Sequence, residues 1–260
     1  MQDFLIVGVL NVTPDSYFDG GQYNHIETAL KRAGEMIEGG ADIIEVGGES
    51  TGPGSSDVSL EEEISRTIDI IKAIKSAYPD QDISIDTYKS EVADLAINAG
   101  VMMVNDITAG RGDPNMFAVI FKSDIDYVLM YSKDSSARTT VQDLQYDDVI
   151  GTIITFLTNQ VHKAQEAGID QSHIIIDPGL GHFVSSIPEY SFTIIDHLQE
   201  FTEIAPVFIS PSRKSFLAGP QNLPTSKRLP ATIEASINCV QNGAKFLRTH
   251  DVTEMVKALS

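Results

Sequence analysis

Two kinds of hydrophobic pattern alternate along the chain. Short, nearly continuous apolar runs rich in Val and Ile occupy residues 4–11, 41–48, 83–87, 102–107, 127–132, 174–179, 206–212 and 244–251. A run such as Ala41-Asp42-Ile43-Ile44-Glu45-Val46 lacks the strict alternation of a sheet with one wet face. It predicts a strand covered on both sides, the mark of a parallel sheet. Between the runs, residues 27–39, 60–78, 149–168 and 231–243 repeat apolar positions at three- and four-residue spacing, which predicts amphipathic helices. Several of these stretches end in Gly, as a helix stop does. Eight strand–helix alternations predict a (β/α)8 TIM barrel, with a doubly wound open sheet as the alternative. Without a linker-like stretch, charge block or repeat, residues 1–260 read as a single domain. Residues 12–24 and 50–59 are rich in Gly, Pro, Ser and Asp and follow strand ends, where mobile barrel loops are expected.

Charge narrows the partners. Lys and Arg total 18 against 37 Asp and Glu, a net −19 that repels nucleic acid and anionic membranes, so an anionic ligand needs a local cluster of cations. The single cysteine, Cys239, excludes an intramolecular disulfide and a cysteine-rich zinc site and suits a reducing compartment. No signal-peptide pattern opens the chain and no apolar run approaches about eighteen residues, so the expected location is the cytoplasm.

In a barrel the informative residues are the polar groups that close each apolar run, because they meet at the C-terminal rim. They are Asn11, Glu49, Asp86, Asn105 with Asp106, Tyr131 with Ser132, Asp177, Ser212-Arg213-Lys214, and Arg248 with His250. Singly, each has a plain structural reading: Asp177 as a turn cap, Asn105 in a β-turn, Asp86 as a cap for the next helix. Together they are chemically specific. Asp86, Asn105 and Asp177 offer acceptors for a polar heterocycle, and Arg213, Lys214, Arg248 and His250 offer positive charge for a phosphate group. No glycine-rich nucleotide cradle follows a strand. The stretch from Gly47 to Gly54 reads as an anion-seating loop or a turn-rich surface loop. His25, His162, His173 and His197 lack metal-ligand spacing and read as loop or helix-surface residues.

The chain also resembles the dihydropteroate synthase family. Gly8-Val9-Leu10-Asn11-Val12-Thr13-Pro14-Asp15-Ser16 with Asp19-Gly20-Gly21 looks like its first signature, and Gly47-Gly48-Glu49-Ser50-Thr51 like its second. Ser84-Ile85-Asp86-Thr87-Tyr88-Lys89, Asn105-Asp106-Ile107, Asp177-Pro178-Gly179-Leu180-Gly181, Ser212-Arg213-Lys214-Ser215-Phe216 and Arg248-Thr249-His250-Asp251-Val252 follow in family order. The resemblance implies a homodimeric folate-pathway transferase that joins 6-hydroxymethyl-7,8-dihydropterin pyrophosphate to p-aminobenzoate with Mg2+. It further implies a pterin pocket of Asp86, Asn105, Asp177, Lys214 and Arg248, with Asp86, Lys214 and Arg248 as catalytic groups. Asn11, Arg248 and His250 fall on the pyrophosphate side, Asn11 as the Mg2+ contact, and Tyr17, Thr51, Pro53 and Ser215 line the aminobenzoate site. Departures cluster near that second substrate: Gly52 stands at a usual arginine, His182-Phe183-Val184 replaces a stretch ending in lysine, and Met130-Tyr131-Ser132-Lys133 replaces a His-Met-Arg-Gly stretch. At Gly181-His182-Phe183 the chain is similar to the sulfonamide-resistant branch, and aromatic bulk at Tyr17-Phe18 or Phe183 is a candidate discriminator against sulfonamides. Besides an active synthase, a pterin-binding homologue without synthase activity and a pterin- or folate-handling methyltransferase-type domain fit the motifs.

Overall fold

The structure, a computed structural model, describes residues 4–12 and 25–260. The elements run β1 (Leu5–Asn11), α1 (His25–Glu38), β2 (Ile43–Gly47), α2 (Leu60–Ala77), β3 (Asp82–Asp86), α3 (Ser90–Asn98), β4 (Met103–Asp106), α4 (Met116–Phe121) and β5 (Asp126–Met130). They continue with α5 (Val149–Glu166), β6 (Ile174–Asp177), α6 (Pro188–Asp196), α7 (Leu198–Phe201), β7 (Val207–Ile209), α8 (Leu229–Gln241), β8 (Ala244–Thr249) and α9 (Val252–Leu259). All pairings are parallel, and β8 returns to β1 to close the barrel, so the barrel reading holds and the open sheet does not.

Local chemistry accounts for the helices. The Ser59 hydroxyl caps α2 by accepting the Glu62 N–H at 3.2 Å, and three glutamates fill the first turn, where they complement the helix dipole. The Asp148 carboxylate caps α5 through the Gly151 N–H at 2.9 Å, and Gly168, at φ +98°, ends that helix in the left-handed conformation. The seventh strand is shorter than its apolar run. Pro206 and Pro211 flank it without an N–H to donate, and its pairing with β8 slips between Val207 and Phe208.

The barrel interior explains where the site lies. Val7, Ile43, Met103, Val128, Ile175, Phe208 and Phe246 form a buried plug inside the strands. Side chains on a strand alternate between faces, so the residues two further toward the C-terminal end also point inward. From Ile43, Met103, Ile175 and Phe246 these are Glu45, Asn105, Asp177 and Arg248. An apolar floor thus carries a polar layer at the barrel mouth. The intervening residues, such as Ile44, Val104 and Ile176, face the helices and join the larger core. Among the described residues, no helix is long and apolar enough to cross a membrane.

Candidate active site

On the apolar floor of the mouth sits a charged cluster. Arg248 on β8 forms an ion pair with Glu45 on β2 and donates from Nη2 to Asp86 on β3 at 3.0 Å. The other Glu45 oxygen accepts from Asn105 Nδ2 at 3.0 Å. Glu45 is fully buried, and its place inside an apolar run hid it from the reading of strand ends. The signal was available, since a carboxylate two residues past an inward-facing Ile must face inward as well. Asn105 Oδ1 and Ser84 Oγ are buried and find no hydrogen-bond partner among the described residues. A buried polar atom without a partner is costly, and a ligand with a hydrogen-bond donor that reached Asn105 Oδ1 would remove that cost.

Asp177 closes the opposite side. One of its oxygens accepts the Gly179 N–H at 2.7 Å, so the turn-cap reading is also correct, while the side chain stays buried in the mouth. Gly179 has φ +71°, and an added Cβ would sit 2.6 Å from the Tyr131 carbonyl oxygen. Gly179→Ala is therefore expected to cost at least roughly 1–2 kcal/mol from the left-handed backbone alone, and to shift Asp177. Urea unfolding would read the loss; an unchanged midpoint would sink the strain argument. Lys214 follows β7, donates to the Leu180 carbonyl at 3.3 Å and lies 5.1 Å from the centroid of the Phe183 ring.

The mouth sets its own charge states. Burial pushes the Asp86 carboxyl up to about 7, helped by Glu45 and opposed by Arg248. Burial also raises Asp177 to about 6, against the pull of Lys214 and the Gly179 N–H, and lowers Lys214 to about 8. Arg248 is held above the ordinary guanidinium range: burial opposes this, and Glu45 and Asp86 overcome it. His250 falls to about 4 because it is buried and lies near the Arg248 charge, so near neutral pH it is an uncharged hydrogen-bonding group and not the cation expected from the sequence.

On the far side of Arg248, His250 Nδ1 and the Ser212 hydroxyl lie 2.9 Å apart, and Arg32 of α1 donates to the His250 carbonyl at 3.0 Å. A polar cavity of about 280 Å3 opens there between Arg32, Asp251 and the start of α9. Asn11 ends β1 opposite Gly47, with its side chain exposed at the rim.

Some strand-end residues build the scaffold instead. Asp106 faces outward, accepting from Thr108 N–H and Oγ1, Gly110 N–H and the Tyr127 hydroxyl at 2.7–2.8 Å. Tyr131 meets Tyr146 at 3.1 Å. Arg213, read from sequence as an anion-holding cation, donates to both oxygens of Asp251 at 2.6 and 2.7 Å, so its charge fixes one connection to another. Glu49 is ion-paired with Lys89 at 2.6 Å and with Arg138. Of the aminobenzoate candidates, Thr51 and Pro53 lie on the 50–58 loop and Ser215 starts the turn after Lys214. Tyr17, Phe18 and most of the 12–24 loop fall outside the described residues.

A barrel mouth holding inward carboxylates, an amide and two cations defines an enzyme that binds a small, polar, partly anionic ligand at the C-terminal ends of its strands. The sequence pattern of the family described as pterin binding enzymes matches residues 7–250, and the chain belongs to that family. The dihydropteroate synthase of Clostridium beijerinckii is 40% identical over 255 residues, covering 97% of this chain and 91% of the relative. That of Bacillus subtilis is 37% identical over 254 residues, with 97% and 85% covered. Among solved structures, Xanthomonas albilineans dihydropteroate synthase with 4-aminobenzoic acid superposes with a TM-score of 0.91 at 34% identity, over 98% of this chain and 90% of that one. The same enzyme in complex with 7,8-dihydropteroate gives 0.86 at 32% identity, with 98% and 91% covered.

Proposed function

We propose that the protein is a dihydropteroate synthase, condensing 6-hydroxymethyl-7,8-dihydropterin pyrophosphate with p-aminobenzoate to 7,8-dihydropteroate and pyrophosphate in folate biosynthesis. The observation that carries this reading is the partly buried Glu45–Arg248–Asp86 cluster with Asn105, Asp177 and Lys214 around it, including the unpartnered Asn105 Oδ1. Asp177 and Asn105 would accept the N–H and amino donors of the pterin, with Lys214 donating to a ring acceptor. Asp86 and Asp177, ionised, favour positive charge on the ring as the methylene C–O bond breaks and pyrophosphate leaves. The arylamine nitrogen then forms the new C–N bond and releases its proton to solvent. An arylamine is nucleophilic when neutral, so no strong general base is needed.

Arg248, His250 and Asn11 would hold the leaving pyrophosphate. Among the described residues no three acidic, His or Cys side chains gather as a metal cage. The Asn11 amide oxygen fits Mg2+ carried mainly by diphosphate oxygens and water, and the ion, when bound, neutralises charge on the leaving group. We also assign the protein to the cytoplasm, consistent with the free, buried Cys239. The homodimer implied by the resemblance has a candidate surface where exposed Phe192 packs against Phe216 beside the cleft between α6 and α8. Sedimentation equilibrium at micromolar concentration would show a dimer; a monomer would remove that assignment.

The decisive assay supplies Mg2+ and dihydropterin pyrophosphate with and without p-aminobenzoate. Aminobenzoate-dependent pyrophosphate release with dihydropteroate as product supports the synthase; tight pterin binding without product means a binding homologue. The pH dependence follows from the charge states. Ring donors need ionised Asp177 and Asp86, and Lys214 must keep its proton. The kcat/KM for the pterin substrate should rise as pH climbs through about 6–7 and fall above about 8. Lys214→Arg should remove the alkaline limb, and a limb that stays would count against the Lys214 assignment.

A further inference from the structure

The connection from β5 to α5, residues 131–148, grips two walls of the barrel mouth at once. Arg138 donates from Nε to the Ser55 carbonyl at 3.1 Å and from Nη2 to the Ser56 carbonyl at 2.5 Å, and forms ion pairs with Glu49 and Asp57. The next residue does two further things: the Thr139 N–H donates to the Thr51 carbonyl at 3.2 Å, and its hydroxyl donates to the His182 carbonyl at 2.7 Å. Lys133 N–H donates to the Phe183 carbonyl at 2.9 Å. The connection is also tied to itself, because Asp134 pairs with the Lys133 ammonium and accepts from Thr140 N–H and Thr140 Oγ1.

Among the described residues, the hydrogen bonds that join loop 50–58 to the rest of the chain come from Arg138, Thr139 and, at Val58, Lys89. Gly52 adds no side chain, and a Cβ there would meet only Ser50 Oγ, at 3.8 Å. Beneath the loop, charges alternate in sign from Glu63 through Lys89, Glu49 and Arg138 to Asp57. Glu63 and Glu49 are almost wholly buried, so the chain of pairs is anchored in the body of the protein and Arg138 is its outer, loop-facing end. A guanidinium is suited to this place, since one planar fork serves two carbonyls and two carboxylates.

We infer that Arg138 is the positioning residue for the aminobenzoate wall: from the β5–α5 connection it holds loop 50–58 over the barrel mouth at a fixed distance from the 181–183 turn and Lys214. It acts through the placement of Thr51 and Pro53. The assignment of that wall to aminobenzoate rests on the synthase reading; the holding of the loop does not.

The experiment uses the full-length protein with Arg138→Met and Arg138→Lys. Arg138→Met should raise KM for p-aminobenzoate about tenfold or more, the scale of losing charge-assisted hydrogen bonds, with kcat and KM for the pterin substrate within about twofold. Arg138→Lys keeps the charge but not the fork and should recover only part of the loss. Hydrogen exchange of the free protein should quicken in residues 50–58 while residues 174–177 stay protected. An unchanged aminobenzoate KM overturns the inference, as does a parallel loss of both KM values with a lowered melting temperature. If the native protein makes no dihydropteroate, the synthase reading fails on its own. Exchange in 50–58 then still decides whether Arg138 holds the loop, and equal exchange in native protein and Arg138→Met overturns that.

Discussion

Arg248→Met is expected to cost about 3–5 kcal/mol of unfolding free energy near pH 8 and to abolish synthase activity, because it leaves two inward carboxylates without their cation. Glu45 is fully buried and the Asp86 side chain is 19% exposed, so water cannot replace the guanidinium for the first and only partly for the second. The penalty should depend on pH with a definite sign. Asp86 already sits at about 7 in the folded protein, well above an unfolded aspartate, and losing Arg248, which opposes the rise, lifts it further. Between the unfolded and folded values the native state holds a proton that the unfolded state has released, so the stability of the variant falls as pH rises. The gap from the native protein should thus be smallest near pH 5 and widen to pH 8. Glu45→Gln in the same chain removes one of the stranded charges and should restore much of the stability without restoring activity. Urea unfolding of the three proteins across pH checks this. A double variant no more stable than the single one would refute the stranded-charge account.

The barrel and most of the mouth were legible because both depend on short-range periodicity. Continuous Val/Ile runs require two covered faces, and eight such runs separated by helical stretches leave few architectures. The polar residues that end those runs, Asn11, Asp86, Asn105, Asp177 and Arg248, cluster at one rim as expected. What misled was adjacency. Asn105 and Asp106 are neighbours at the end of one run, yet the first points into the barrel and the second into the helix layer, where four donors satisfy it. Parity with the inward Met103 separates them, and the same parity brings in Glu45, which an eye on strand ends passes over.

Long-range pairing was not legible at all. Arg213 has the charge expected of an anion ligand, and nothing local shows that Asp251 takes up both faces of its fork. Arg138 lies in a stretch without apolar period, and its partners Glu49, Ser55, Ser56 and Asp57 lie far back in the chain. Only closure of the barrel, which brings the β2–α2 and β5–α5 connections together over one mouth, creates those contacts. Two of the departures from the family pattern, at Gly52 and at 131–133, fall in these same two connections.

Asp177→Asn should weaken binding of dihydropterin pyrophosphate by about 10–100-fold while leaving the fold nearly intact. The fold is spared because an amide oxygen can still accept the Gly179 N–H that Asp177 Oδ1 now takes at 2.7 Å. Binding suffers because the amide presents N–H groups where the pterin presents its own, turning an acceptor into a donor that faces donors. A second effect separates this from a general disturbance. Asp177 opposes the fall of the Lys214 pKa, which burial has brought to about 8, so removing its charge should lower that pKa further. The alkaline limb of the pH profile should then move below its position in the native protein, and no such shift should accompany Tyr17→Ala, a change at a residue assigned to aminobenzoate. Calorimetry showing equal pterin affinities for Asp177→Asn and Tyr17→Ala would remove Asp177 from the pocket. Weakened affinity with an unmoved alkaline limb would keep Asp177 as a hydrogen-bond acceptor but deny that its charge acts on Lys214.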